Sequence, residues 1–297
     1  MKPTCLSCKS SCSSPTAHRT IKPFGSYLRK SDGQKISRFW CFQCRKSFSS
    51  ATKSPKRWHK KRHLRRRIVQ LLNGGMSQRE VGRVLKINRK TVVRQFRFSH
   101  STAKKELKEW NQRFPKSVEV EFDDLETFEH TKCKPLSVTL MVEAKTRRIL
   151  GFEVSRMPAK GHLAKISRKK YGFRKDERPK ARQKLFSDMR EFVEPNAIFR
   201  SDSNPHYSSD LKKCFPEAQH ITVLGGRGAV TGQGELKKLR WDPIFSLNHT
   251  CAMLRANINR LIRKTWCTTK RPDQLAGHIA LYALSHNLRL EQRKGPV

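Results

Sequence analysis

Apolar positions repeat at helical spacing early in the chain and alternate in strand fashion further on. Trp58, Leu64, Ile68, Val69 and Leu72 set up a first helix, which Asn73-Gly-Gly75 stops. Ser77-Gln-Arg-Glu80 is a capping box that opens a second helix with Val81, Val84 and Leu85 inward. Lys86-Ile-Asn88 reads as a short turn with Asn88 as N-cap. A third helix is expected from about Arg89 to Phe98, anchored through Val92, Val93 and Phe96. From Val118 the period changes to two: Val118, Val120 and Phe122 alternate with Glu119 and Glu121 in a strand expected to end at Asp123-Asp124. Strands over 136–143 and 149–156 follow, joined by a turn at Lys145-Thr-Arg-Arg148. Ala181, Leu185, Met189 and Phe192 mark a helix, and Ala197-Ile-Phe-Arg200 a short buried strand ending at Ser201-Asp202. Asp242-Pro243 opens a further helix. Leu247, Leu254, Ile258, Leu261 and Ile262 form its apolar stripe, with Asn248, Arg255, Asn259 and Arg263 on a polar face. The pattern is an all-α module followed by a mixed α/β sheet with flanking helices.

Ahead of both lies a segment with few apolar residues but two Cys-x-x-Cys pairs, Cys5/Cys8 and Cys41/Cys44, separated by 32 residues. Two thiolates at this spacing sit on one tight knuckle, and two knuckles make a tetrahedral sulfur site suited to structural Zn2+. So small a core needs the metal to offset its ordering entropy. Cys12 is a fifth thiol that could replace Cys8. The aromatic knuckle Phe39-Trp-Cys-Phe-Gln-Cys44 has the character of a zinc ribbon.

Charge narrows the partners. The chain of 297 residues carries a formal net charge of +41, which a polyanion is expected to compensate. Nucleic acid is the expected one, through salt-dependent attraction to its phosphates. No apolar run approaches the ~18 residues of a spanning helix. The N-terminus does not read as a signal peptide. A reducing, cytoplasmic location follows, with no membrane partner and no disulfide frame. Between Lys53 and Arg67 stand nine Lys or Arg and no acid, a basic linker running into the first helix. Helix, short turn and basic third helix together read as a helix-turn-helix, with Arg89, Lys90, Thr91 and Arg94 facing the major groove or its phosphates.

In such a protein, two aspartates at strand ends carry chemistry. If their strands are neighbours, Asp123 and Asp202 meet over one sheet edge. There they can hold Mg2+ or Mn2+ for an in-line displacement at phosphorus. The stretch from Gly225 to Gly234 lacks the Lys-Ser/Thr of a phosphate loop and is expected to be a mobile loop at the active site.

These parts, in this order, resemble the DDE transposases of the insertion-sequence-one group. The stretches that carry the resemblance are the paired Cys-x-x-Cys motifs, the helix-turn-helix, Phe122-Asp-Asp-Leu-Glu-Thr-Phe128, Arg200-Ser-Asp-Ser203 and Leu254-Arg-Ala-Asn-Ile-Asn-Arg-Leu-Ile-Arg-Lys-Thr-Trp-Cys267. The resemblance implies a multidomain chain with a zinc ribbon over 1–52, a basic linker and helix-turn-helix over 53–100, and an RNase H-like catalytic domain over 115–297. It implies binding to the terminal inverted repeats of an insertion sequence, then metal-dependent strand cleavage and transfer into target DNA. The protein would act as a homo-oligomer on double-stranded DNA, associated with a bacterial nucleoid. By the same resemblance Asp123 and Asp202 are the first two catalytic acids and Asn248 stands where the third belongs. An amide there brings an oxygen but no charge. Glu235 is the competing third ligand, and Asp124 a further stand-in. Arg255, Arg260 and Arg263 would clamp phosphates. The alternatives are a regulator or domesticated transposase that binds DNA without cutting it, and a nuclease that cuts without joining.

Overall fold

A computed structural model gives the architecture and describes residues 3–5, 7, 8, 20–52, 54, 57, 59, 61–224, 242–262 and 266–293. Cys12, Trp58, Glu235, Arg263 and the glycine-rich stretch lie outside the described residues. The chain divides into two compact units, residues 1–68 with 82–98, and residues 69–81 with 99–297.

The first unit opens with a three-stranded antiparallel sheet in the order β1 (Ile21–Leu28), β2 (Lys35–Cys41), β3 (Lys46–Ser49). Its core is small: Cys5, Ile21 and Cys41 are buried, with Phe39 and Phe48 packed against them. Three helices follow along the chain: α1 (Arg65–Leu72), α2 (Gln78–Val84) and α3 (Arg89–Asn111). Their ends are set by the residues the sequence suggested. Gly75 takes φ +83° after α1, a left-handed conformation that favours glycine. Ser77 Oγ accepts the Glu80 N–H at 3.2 Å, and Asn88 Oδ1 accepts the Lys90 N–H at 2.8 Å. Ile68, Val92 and Phe96 are wholly buried within the unit.

Two expectations need correction here. Val84 is 52% exposed, because α2 ends at it and Lys86 turns the chain with φ +50°. Helix α3 does not stop near Phe98 but runs to Asn111. Ala103, Leu107 and Trp110 are buried at helical spacing, and no glycine or proline interrupts the run.

The second unit is built on a five-stranded mixed sheet ordered β6-β5-β4-β7-β8. Its strands are β4 (Ser117–Phe128), β5 (Pro135–Glu143), β6 (Ile149–Arg156), β7 (Val193–Asp202) and β8 (Gln219–Val223). The first three form an antiparallel meander, and β7 and β8 join parallel to β4. One face carries Val120, Phe122, Met141 and Phe199. It packs on Leu185, Phe186 and Met189 of α5 (Arg178–Met189) and on Tyr207 and Leu211 of α6 (Pro205–Lys212). Helix α4 (Leu163–Tyr171) follows β6 and precedes α5 along the chain, and α7 (Phe245–Asn257) and α8 (Pro272–Arg293) complete the unit.

Strand β4 does not end at Asp123-Asp124. It continues to Phe128, pairing with β5 as far as Phe128↔Pro135, because Leu125, Thr127 and Phe128 still find buried places. Helix α7 likewise differs. It ends at Asn257, and Ile258 is extended (φ −111°, ψ 105°), so Asn259 shares no helix face with Asn248 and Arg255.

Beneath the sheet, Arg182 is buried between two carboxylates. Its Nε donates to Asp210 Oδ2 at 2.8 Å and its Nη1 to Asp124 Oδ2 at 3.0 Å, while Thr139 Oγ1 donates to Asp124 Oδ1 at 2.5 Å. Removing the cation leaves buried Asp124 without its ion-pair partner and Asp210 with only Lys213 at 3.5 Å, so Arg182→Ala is expected to cost about 3–5 kcal/mol in a denaturant titration. A loss below ~1 kcal/mol would show that solvent, and not Arg182, balances these acids.

Candidate functional site

The geometry of the acids follows from strand register. Strand β4 pairs parallel with β7 through Glu119↔Ile198, Val120↔Phe199 and Glu121↔Arg200. Continuing by two residues sets Asp123 beside Asp202, where β7 gives way to α6. Because side chains alternate, Glu119, Glu121 and Asp123 share one face of β4, and Val120, Phe122 and Asp124 take the other. Asp123 and Asp202 are therefore brought together, while Asp124 is turned away into the Arg182 ion pair.

Burial and the neighbouring Asp202 charge push the Asp123 carboxyl up to about 6. Hydrogen bonds work against this: the Asp124 N–H donates to Asp123 Oδ1 at 2.6 Å and the Tyr207 hydroxyl donates to the same oxygen at 3.0 Å. Both hold Oδ1, which leaves Oδ2 as the atom for another ligand. The Tyr207 phenol is pushed far above its ordinary range by burial and by the surrounding acids, so it remains a donor. Asp202 Oδ1 accepts the Asn204 N–H at 3.1 Å, and Asn204 in turn caps α6 through the His206 N–H at 3.1 Å. These caps fix the turn that carries Asp202.

Helix α7 is tied to the same face of β4. The Leu247 N–H donates to Glu121 Oε2 at 2.7 Å, and the Lys145 N–H donates to Ser246 Oγ at 2.9 Å. Further along α7, Cys251 lies close enough to Asp123 for the carboxyl to help burial push its thiol up to about 12. Asn248 stands one turn before Cys251, exposed, with its Nδ2 donating to Asp242 Oδ2 at 2.8 Å. That bond uses one of the two amide hydrogens, and the carbonyl oxygen accepts no hydrogen bond among the described residues. Arg255 is on α7 near Cys251. Arg260 is tied into the fold, its Nη1 donating to the carbonyls of Cys267 at 3.1 Å and Thr268 at 3.4 Å. Among the described residues no third carboxylate, imidazole or thiol joins Asp123 and Asp202 in a metal-sized cluster. The donor set is thus two adjacent carboxylates, hard oxygen ligands that fit a divalent cation with an incompletely filled shell.

A titration follows from this electrostatic setting. Since the folded-state carboxyl lies above its ordinary 3.8, the protonated form of Asp123 is the one that folding favours. Its contribution to stability is complete below that ordinary value and is lost as pH rises through about 6. A divalent cation binds the ionised form and reverses the loss. Magnesium is therefore expected to raise the unfolding temperature more at pH 7 than at pH 5. Equal stabilisation at both values would remove Asp123 from the ligand set.

The second candidate site is in the other unit. Cys5, Cys8, Cys41 and Cys44 place their sulfurs within 4.8 Å of one another. Sγ–Sγ separations of 3.5 Å link Cys5 to Cys44 and Cys8 to Cys41. A tetrahedron with ~2.3 Å metal–sulfur bonds asks for ~3.8 Å between sulfurs, so the four can hold one structural ion such as zinc. Desolvation and the three neighbouring thiols push the Cys44 thiol up to about 12.

In the same unit, Arg89, Lys90, Arg94 and Arg97 are exposed along α3, and Thr91 is partly exposed. All but Thr91 line, with Val93, a shallow pocket of about 340 Å³. Val92, Gln95 and Phe96 point inward from the same turns.

The sequence reasoning missed Glu121, Tyr207, Arg182 and Cys251. The strand period already put Glu121 on the face of Asp123. No local signal marks Tyr207 or Arg182, which meet the acids only through the fold. No protein-family model matches this sequence, and no curated protein matches it. Among the described residues no helix is long and apolar enough to cross a membrane.

Proposed function

We propose that this protein is a transposase of the insertion-sequence-one type, with an RNase H-like catalytic unit that cuts and rejoins DNA. The observation that carries this is the juxtaposition of Asp123 and Asp202 on adjacent parallel strands. Tyr207 holds one oxygen of Asp123, and burial together with the neighbouring carboxylate raises the proton affinity of Asp123. Such a pair is costly to a fold and reads as a cation site. Magnesium or manganese bound there supplies an activated attacking hydroxyl and charge stabilisation at the leaving oxygen. The chain's own part is to set the two carboxylates in register and to pin α7 to β4 through Glu121. It also presents Asn248 on α7 with its carbonyl oxygen unclaimed by Asp242. The exposed Arg89, Lys90 and Arg94 support DNA recognition, with Thr91 beside them. The four-cysteine cluster supports a zinc ribbon, and the +41 charge supports a polyanionic partner.

The test uses the full chain and the duplex that it enriches from a random pool. Magnesium-dependent nicking and joining of that duplex is expected. Specific binding that magnesium leaves without any strand scission would instead assign the protein to the DNA-binding regulators. Arg94→Ala is expected to weaken binding of the enriched duplex by about tenfold or more and that of a scrambled duplex much less. Equal losses on both would take Arg94 out of base recognition.

A further inference from the structure

The segment that leaves β6 carries charge that nothing above uses. Since β5 is antiparallel to both β4 and β6, strands β4, β6, β7 and β8 all end on one edge of the sheet, the edge of Asp123 and Asp202. The segment 160–174 is held to that edge at three points, one on helix α4 itself and one on either side of it. Lys160 Nζ bonds Glu126 at 2.8 Å, Ser167 Oγ donates to the Cys133 carbonyl at 2.7 Å, and Arg174 Nη2 donates to the Pro135 carbonyl at 3.2 Å. Glu126 is three residues beyond Asp123, roughly 10 Å along the strand at ~3.3 Å per residue, and by strand alternation it lies on the Asp124 face, so the segment meets the edge from that side.

Once Ser167 has docked the helix, Lys165, Ile166, Arg168, Lys169 and Lys170 are left exposed. Lys165 and Lys169 are one turn apart, with Arg168 between them, so like charges crowd one stripe. Elsewhere in this unit some exposed cations find carboxylates: Lys104 and Lys184 share Glu153, Lys108 takes Glu191 and Lys145 takes Glu119. Scattered single cations such as Lys116 and Lys180 find none among the described residues; α4 differs in gathering four on one short helix. Among the described residues none of the four basic side chains of α4 has a carboxylate partner. The helix dipole favours cations in the last turn, which covers Arg168, Lys169 and Lys170, but it disfavours Lys165 in the first. A helix fixed at a catalytic edge with uncompensated charge calls for an anion from outside.

We propose that α4 grips the phosphate backbone of duplex DNA laid across the Asp123–Asp202 edge, a contact additional to that of Arg89 and Arg94. It rests on the transposase reading above. The experiment titrates salt against binding of the full chain to two duplexes, the enriched one and a scrambled one. Changing Lys165, Arg168, Lys169 and Lys170 together to Gln is expected to make log K against log salt shallower by about 2–4, at ~0.9 per phosphate contact. A charge-retaining variant (Lys165→Arg, Lys169→Arg, Lys170→Arg) is expected to keep the wild-type slope. A change on both duplexes would assign α4 to backbone of any sequence, as target DNA requires; a change confined to the enriched duplex would assign it to DNA flanking the recognised site. Wild-type slopes in the Gln variant would overturn the proposal. So would phosphatidylserine vesicles that retain wild type but not the Gln variant while both bind DNA alike. A wild-type chain that binds neither duplex would remove the transposase reading as well, which keeps the two failures distinct.

Discussion

Asp202→Asn is expected to abolish strand cleavage and joining, by on the order of 10³-fold or more, while leaving DNA affinity and its salt dependence unchanged. The substitution is nearly isosteric. Asn keeps an oxygen able to accept the Asn204 N–H that Asp202 Oδ1 accepts at 3.1 Å, so the turn into α6 is preserved. What is lost is one of two negative charges in a two-carboxylate site, and with it most of the attraction for a divalent cation. A second consequence separates this from a folding defect. The Asp202 charge is among the causes that raise Asp123, so Asp123 in the variant should titrate below its value of about 6. Carboxylate chemical shifts followed by NMR would show this directly. Full activity in Asp202→Asn would remove the paired-acid chemistry and leave a DNA-binding protein. Loss of activity with an unshifted Asp123 would mean that the two carboxyls do not sense each other.

Removing metal from the four-cysteine cluster is expected to unfold the β1–β3 sheet while the five-stranded sheet stays intact. The small sheet buries almost nothing beyond Ile21 and Ile36 and the cysteines themselves, with Phe39 and Phe48 only partly covered. Some thirty ordered residues cost on the order of 30 kcal/mol of backbone entropy or more. A few half-buried side chains cannot offset that, whereas a structural zinc contributes on the order of 10 kcal/mol. Chelation, or Cys41→Ser, should therefore expose Trp40 to quenchers and open residues 20–52 to protease. The unfolding transition of the second unit should stay where it was. Continued protection of Trp40 in the chelated protein would show that the ribbon does not depend on metal.

Local rules already decided several features. Two Cys-x-x-Cys pairs can close on one ion wherever the intervening chain goes, and the structure brings their sulfurs together. Capping chemistry placed Ser77, Asn88 and Gly75 correctly, because a cap involves only its near neighbours along the chain. Strand periodicity gave β5 and β6 nearly to the residue. Boundaries set by tertiary burial were less legible. Strand β4 runs past its aspartates because Leu125 and Phe128 have a core to enter, and α3 runs past Phe98 because Ala103, Leu107 and Trp110 do.

The composition of the acid site belonged to the tertiary structure. Alternation along β4 separates Asp123 from Asp124, but only the parallel pairing of β4 with β7 shows which one meets Asp202. The other is neutralised by Arg182, which is 58 residues away in sequence. Tyr207, on the helix after β7, reaches Asp123 across 84 residues. Residue types and short spacings determined which chemistries were possible. Which carboxylate keeps an unpaired charge depends on contacts between distant segments, and only the folded sheet sets those.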